Sequence, residues 1–146
     1  MTTTTNAATS TVTGPKLGDQ AAVAALPNLI MSAWAEHAAE DFANVFTQDG
    51  TMILPGVFVK GREQIRSFME NAFAGPYRGT RVTGKPFSVK FFGTGSALLH
   101  TEGGVLAPGE EEVAGDRAVR ASWLAVKEHD GRWRLAAYQN TPRDAG

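Results

Sequence analysis

The sequence predicts an α+β domain in which helices cover one face of an antiparallel sheet. Apolar residues recur at helical spacing only in the first half of the chain, before Gly75. From Gly75 onward, four stretches are instead rich in β-branched and aromatic residues, which are typical of strands. Helices followed by a run of strands along the chain favour the α+β class.

Composition limits the kinds of partner that we expect. The 146 residues suit one domain, with a flexible tail at 1–18 and a single folded domain at 19–146. The formal net charge of -1 argues against nucleic acid as a partner. The absence of cysteine suits a reducing cytoplasm, and no apolar run reaches the ~20 residues of a membrane span. We therefore expect a soluble cytoplasmic protein.

Three helices are predicted in the first half of the chain. Asp19 is predicted to be an N-cap, and Pro27 should kink or divide the pattern that follows, which leaves a strong helix from Pro27 to His37. A short second helix, ending near Gly50, is indicated by Phe42, Val45 and Phe46. Gly61 opens the third helix. Its apolar stripe comprises Ile65, Phe68, Met69, Ala72 and Phe73.

The strands begin with a hairpin. The β-prone runs Thr51 to Leu54 and Val57 to Lys60 flank Pro55-Gly56, which is typical of a tight turn. Three residues, His129-Asp130-Gly131, have the length and composition of a second hairpin turn, so the two strands beside them should be antiparallel. The four later strands are predicted at Arg81 to Phe92, Ala97 to Leu106, Ala118 to Glu128 and Arg132 to Asn140.

Three local motifs follow one another along the chain. They are Ala33-Trp34 with Phe42 and Phe46, then Gly61-Arg62-Glu63-Gln64-Ile65, and finally Gly131-Arg132-Trp133-Arg134. Together they resemble the SgcJ/EcaC branch of the SnoaL-like, nuclear transport factor 2-like proteins, over about Asp19 to Pro142. The resemblance implies a cone-shaped, cystatin-like fold. In it, a curved antiparallel sheet is covered on its concave face by about three helices that leave an internal pocket, and the outer sheet face pairs in a homodimer.

The same resemblance implies a function. We expect a pocket protein of bacterial secondary metabolism that takes a hydrophobic small molecule, without a cofactor. Its substrate would be a polyketide-like intermediate, which includes enediyne precursors. Its activity would be that of a cyclase, isomerase or oxidoreductase-like enzyme. The alternative is a non-catalytic ligand-binding or synthase-associated dimeric accessory protein. Ketosteroid isomerases of this fold use an aspartate before a proline as the base, whereas Leu54 precedes Pro55 here, so that base is not carried over.

Strand alternation leaves open which sheet face lines the pocket. Arg120 and Ser122 share one face, while Ala121 and Trp123 share the other. We assign Arg120 and Ser122 to substrate binding, because a guanidinium fork can hold a ligand oxygen that a nearby hydroxyl orients. The alternative is an exposed arginine on a solvated sheet face.

Two further pairs are candidates for hydrogen bonding or proton transfer. His100 and Glu102 lie two apart on one strand and could form an acid–base pair, or else a solvated cross-strand pair. Tyr138 and Asn140 share a face of the last strand, and Gln139 has the other. Either set could bind substrate, and Tyr138 could donate to a developing oxyanion or simply pack with a wet hydroxyl.

The remaining candidates are aromatic or charged. Trp34 should belong to the core and could wall the pocket, where its indole N–H would meet a ligand. No metal site is predicted, because the three histidines lack ligand-like spacing and no cysteine supports them. The run Glu110 to Glu112 is interpreted as a solvated loop.

Overall fold

The computed structural model describes residues 15–144, so the first 14 positions of the predicted tail lie outside the described residues. The helices are α1 (Leu17–Ala35), α2 (Ala39–Asn44) and α3 (Arg62–Ala74). The strands are β1 (Phe46–Leu54), β2 (Val57–Lys60), β3 (Arg81–Phe92), β4 (Ser96–Leu106), β5 (Ala118–Lys127) and β6 (Trp133–Pro142). A short 3-10 turn, Gly115–Arg117, precedes β5.

The strands form one curved, unclosed sheet in the order β2-β1-β6-β5-β4-β3. Neighbouring strands are antiparallel except β1 and β6, which pair in parallel after the chain has passed through α3 and the four strands β2 to β5. Helix α1 packs against β3 and β6, and α3 packs against β1 and β2. The helices and the sheet enclose a common core that includes Leu26, Leu99 and Leu135. The predicted α+β, cystatin-like class is confirmed.

Helix α1 is one continuous helix, so the division predicted at Pro27 is wrong. Pro27 lies in its interior and is fully buried. A proline in such a position lacks a hydrogen-bond donor and crowds the preceding turn. Burial of its ring in the core offsets this local cost.

Asp19 is not an N-cap, since Lys16 holds that position and Asp19 lies inside the first turn. Its carboxylate accepts a hydrogen bond from Trp133 Nε1 at 3.0 Å and lies 3.1 Å from Lys127 Nζ. Both contacts lower the pKa of Asp19, and the hydrogen bond from Trp133 is the larger cause. Asp19 therefore ties the start of the described chain to the last hairpin.

The segment after α2 also departs from prediction, because Phe46 begins a strand instead of continuing a helix. The β1–β6 register shifts between Phe46 and Thr51. A Cβ atom on Gly50 would lie 3.0 Å from the carbonyl oxygen of Leu135, so this glycine allows a close approach of two strands. The four later strands are confirmed, with ends that move by one or two residues.

Candidate functional site

A cavity of about 300 Å³ lies between the helices and the inner face of the sheet. Trp34 of α1 and Phe42 of α2 contribute to one wall, together with Tyr77 from the segment after α3. Trp123 of β5 and Tyr138 of β6 contribute to the opposite wall. The volume is at the lower end of the range for small-molecule sites, and the aromatic lining suits an apolar guest.

The two tryptophans of the cavity wall have their indole N–H groups occupied. Trp34 Nε1 donates to Thr80 Oγ1 at 2.9 Å, and Trp123 Nε1 donates to Thr101 Oγ1 at 2.9 Å, both within the protein interior. Thr80 Oγ1 in turn donates to the carbonyl oxygen of Tyr77 at 2.7 Å. Trp34 therefore walls the cavity as predicted, but its N–H is held by Thr80 and does not face a ligand.

Tyr138 and Asn140 supply the polar groups of the inner sheet face. Asn140 Nδ2 donates to the Tyr138 hydroxyl oxygen at 3.1 Å, while Tyr138 packs edge-on against Trp123 with ring centroids 4.9 Å apart. Burial raises the pKa of Tyr138, and the hydrogen bond from Asn140 partly opposes that rise. Asn140 Oδ1 is buried and has no hydrogen-bond partner in the described part of the chain. The phenol is therefore kept protonated near neutral pH.

Tyr77 is a cavity residue that sequence reasoning missed. Its ring lies 4.6 Å from the ring of Trp34, centroid to centroid, and burial raises the pKa of its hydroxyl. It lies in the turn between α3 and β3, where no periodic pattern marks a residue as inward-facing. Only its aromatic type could have suggested a role.

The charged residues at the cavity, Asp116 and Arg117, are exposed and mark its open end. Arg117 donates to the carboxylate of Glu110, which also accepts the backbone N–H of Ala107 at 2.8 Å. These contacts lower the pKa of Glu110, with Arg117 as the larger cause. Arg81 donates to the carbonyl oxygen of Glu110 at 2.6 Å. Glu110 therefore fastens the loop at the cavity mouth and is not a freely solvated charge.

Five predicted site residues lie on the outer face of the sheet, away from the cavity: His100, Glu102, Arg120, Ser122 and Gln139. In β5, Ala121 and Trp123 are buried and line the cavity, while Arg120 is exposed. Turning Arg120 inward would bury a guanidinium in an apolar wall, which is costly without a paired carboxylate. The placement of Arg120 and Ser122 in the cavity is therefore corrected.

The outer-face candidates make contacts of their own. Glu102 lies 3.5 Å from Arg120 Nε and 3.2 Å from Arg143 Nη1, so two arginines engage its carboxylate. His100 stacks on Phe87 with ring centroids 6.1 Å apart. The structure does not bring His100 and Glu102 together as a pair. Of the eight predicted site residues, Trp34, Tyr138 and Asn140 line the cavity.

Between residues 15 and 144, no three His, Cys, Asp or Glu side chains are grouped as metal ligands. In the same range, no helix is both long enough and apolar enough to cross a bilayer.

The fold and the cavity together define a cystatin-like protein with an internal pocket. The model of the SnoaL-like domain matches residues 15–139, so the chain belongs to the SnoaL-like domain family. Proteins of this family are small-molecule-binding and isomerase-like. No curated protein matches the chain. The SgcJ/EcaC branch is finer than this match and stays a prediction.

Solved structures support the same fold. A domain of unknown function with a cystatin-like fold from Nostoc punctiforme is 27% identical, with a TM-score of 0.82 over 89% of this chain and 80% of that one. A nuclear transport factor 2-like protein from Novosphingobium aromaticivorans is 20% identical, with a TM-score of 0.76 over 89% and 85%. A ketosteroid isomerase-like protein from Erwinia carotovora atroseptica is 17% identical, with a TM-score of 0.69 over 89% and 100%.

Proposed function

We propose that the protein binds a small, largely apolar organic molecule in the cavity and holds an oxygen of that molecule at Tyr138. The observation that carries this proposal is an aromatic cavity of about 300 Å³ with the Tyr138 phenol in its wall. Apolar walls provide most of the binding free energy, and a few placed polar groups fix orientation. Because its pKa is raised, Tyr138 stays a neutral donor.

As an enzyme, the protein would act without a cofactor on a polyketide-like intermediate of bacterial secondary metabolism, enediyne precursors included. A cavity that holds a reactive chain in one conformation lowers the entropic part of the barrier to ring closure. A phenol donor aimed at a carbonyl oxygen stabilises the negative charge that develops there. Aldol cyclisation and keto–enol isomerisation of such chains both proceed through a polarised carbonyl.

The second candidate is a non-catalytic carrier or synthase-associated accessory protein. Among the cavity-lining residues that the structure describes, Asp116 at the open end is the one acidic group, and there is no histidine. Leu54 is part of the wall, and under the resemblance this is the position of the catalytic aspartate in ketosteroid isomerases. The scarcity of proton acceptors is the observation that favours a carrier.

The binding proposal is tested with an aromatic ketone, 2-acetylnaphthalene, as probe. Trp34 and Trp123 line the cavity, so quenching of tryptophan fluorescence should report occupancy. Tyr138→Phe should weaken binding about two- to tenfold, the effect of one neutral hydrogen bond. Gln139→Leu, on the outer face of the same strand, is the matched control and should bind as the wild type does. Absence of saturable quenching in the wild type would remove the proposal.

The two candidate functions differ in what Tyr138→Phe does to a natural intermediate. An enzyme should lose turnover of that intermediate while it still binds it, because the donor acts most strongly on the transition state. A carrier should change in affinity alone. Single-turnover assays on intermediates accumulated by a producing strain that lacks this protein separate the two outcomes.

We further propose that the protein is cytoplasmic and forms a homodimer through the outer sheet face. Ile53, Phe58 and Phe87 lie on that side of the sheet and are 40%, 62% and 60% exposed. A second copy would cover these side chains from water. A two-fold axis would bring Glu102, Arg120 and Arg143 of one copy close to the same three residues of the other, so opposite charges can pair across the interface. Sedimentation of the purified protein tests this assembly.

A further inference from the structure

Asn140 carries a feature that ligand binding alone does not explain. It is two residues after Tyr138 on the same strand, so both side chains lie on the cavity face of the sheet. Its amide nitrogen donates to the Tyr138 hydroxyl oxygen, whereas its amide oxygen is buried without a partner among the described residues. A buried acceptor without a partner costs at least as much as one neutral hydrogen bond contributes, so stability alone does not account for an amide here. Some other property must therefore depend on the amide.

The hydrogen-bond capacity of the phenol identifies that property. A tyrosine hydroxyl has one proton to donate and two lone pairs that accept. The Asn140 N–H occupies the acceptor side of Tyr138, so the Tyr138 proton is directed away from Asn140. Within residues 15–144 the Tyr138 hydroxyl donates no hydrogen bond, and the cavity adjoins the side chain. The phenol proton is thus available to a ligand.

We infer that Asn140 is a positioning residue that makes Tyr138 a hydrogen-bond donor, so that the cavity selects ligands whose inner end is an oxygen acceptor without a proton. Ketones and quinones belong to this class. An alcohol or phenol can also accept the Tyr138 proton, but its own proton then lies buried without a good acceptor, because Asn140 engages the Tyr138 oxygen. This inference rests on the proposed function for its ligand. The Asn140–Tyr138 contact can be tested without any ligand.

The first test follows the ionisation of Tyr138 itself. The chain contains two tyrosines, so a Tyr77→Phe background leaves Tyr138 as the one titrating phenol. The Asn140 hydrogen bond lowers the pKa of Tyr138, which means that its loss should move the ultraviolet titration midpoint upward. We expect the midpoint to rise in Asn140→Leu and to rise further in Asn140→Asp, whose carboxylate accepts the phenol proton. Circular dichroism in parallel separates ionisation from alkaline unfolding.

The second test compares matched probes that differ at one oxygen, 2-acetylnaphthalene and 2-naphthol. In the wild type the ketone should bind more tightly than the naphthol, by about two- to tenfold. Asn140→Leu should abolish this preference because the phenol can then turn either way. Asn140→Asp should reverse it, because the Tyr138 oxygen then faces the cavity as an acceptor. An isosteric amide-to-acid change would produce no such reversal if Asn140 were merely structural.

The outcomes separate the inference from the proposed function. If neither probe binds the wild type but the titration midpoints rise as described, the ligand proposal fails and the positioning role stands. If the probes bind but both variants keep the wild-type midpoint and the wild-type preference, the positioning role is refuted. If Asn140→Asp does not fold, Asn140→Leu decides between these results.

Discussion

Two tryptophan–threonine hydrogen bonds support opposite walls of the cavity, and they allow a matched perturbation. Thr101→Val removes the acceptor of the Trp123 indole N–H, and Thr80→Val removes the acceptor of the Trp34 indole N–H. Valine has nearly the shape of threonine, so each change deletes a hydroxyl and little else. Both threonines are buried, with 2% and 7% of their surface exposed for Thr101 and Thr80, so water cannot readily replace the lost acceptor.

The expected losses follow from the contacts. An indole N–H left buried without an acceptor costs roughly 1–3 kcal/mol, so Thr101→Val should destabilise the protein by about 2 kcal/mol. Thr80 also donates to the Tyr77 carbonyl, which is worth about 1 kcal/mol more, so Thr80→Val should cost about 3 kcal/mol. At roughly 3 °C per kcal/mol for a chain of this length, the midpoint of thermal unfolding should fall by about 6 °C and 9 °C.

Urea unfolding measures both values, and Thr83→Val serves as the control. Thr83 is an exposed β3 residue whose hydroxyl makes no hydrogen bond in residues 15–144, so its loss should change the free energy of unfolding by less than about 0.5 kcal/mol. A Thr101→Val loss as small as that of the control would show that the Trp123 N–H finds another partner, such as water inside the cavity. Equal losses of unfolding free energy for Thr80→Val and Thr101→Val would refute the added contribution of the hydrogen bond from Thr80 to the Tyr77 carbonyl.

Three further predictions concern the contacts of Asp19, the loop that Glu110 holds at the cavity mouth, and the outer face of the sheet. The fold lowers the pKa of Asp19 from its ordinary value of 3.8. The stability that the Asp19 carboxylate contributes is therefore present above pH 3.8 and is lost as the pH falls through the lower folded pKa. In Asp19→Asn, the midpoint of thermal unfolding should fall less steeply on the acid side of its pH dependence. Glu110→Ala should speed hydrogen exchange at the Ala107 amide, whereas Glu111→Ala should not. Phe58→Ser should lower the dimer fraction in sedimentation, and a monomeric wild type would contradict the dimer proposal.

The last strand illustrates why its existence could be predicted from sequence but its inward face could not. Trp133 and Leu135 are buried, and strict alternation would continue with Ala137 and Gln139 on that face. The β5–β6 register instead skips Ala136, an extra residue that moves Tyr138 and Asn140 to the cavity side. Nothing in the composition of this stretch marks the bulge, because it arises from pairing with β5. The local sequence pattern predicts that a strand exists, but the sheet face that each side chain takes after a bulge depends on the neighbouring strand.

The prediction that Arg120 and Ser122 face the cavity is wrong for a different reason. The two faces of β5 differ in polarity, and the apolar face with Ala121 and Trp123 is the one that joins the buried core. Burial of apolar area predicts this orientation, whereas the ligand-binding chemistry of a guanidinium predicts the opposite one. The inward face of β4 agrees with the same argument, since Leu99 and Thr101 are buried there. Hydrophobicity was therefore the better guide to the site.

Leu54 and Tyr138 bear together on which reaction the cavity could support. Moving a proton between two carbons requires a base beside the substrate, and Leu54 offers none where such a base would be placed. Closing a ring in a chain of alternating carbonyls requires a weaker base, because the methylene between two carbonyls is acidic enough to lose its proton to water. The new carbon–carbon bond then forms at a carbonyl carbon whose oxygen is hydrogen-bonded by Tyr138 and takes up a proton. A donor such as Tyr138 in a preorganised site is worth about 10²–10³ in rate. Among the enzymatic alternatives we therefore favour cyclisation, which the cavity can promote by holding the chain in one conformation and by the Tyr138 donor, without a carboxylate base.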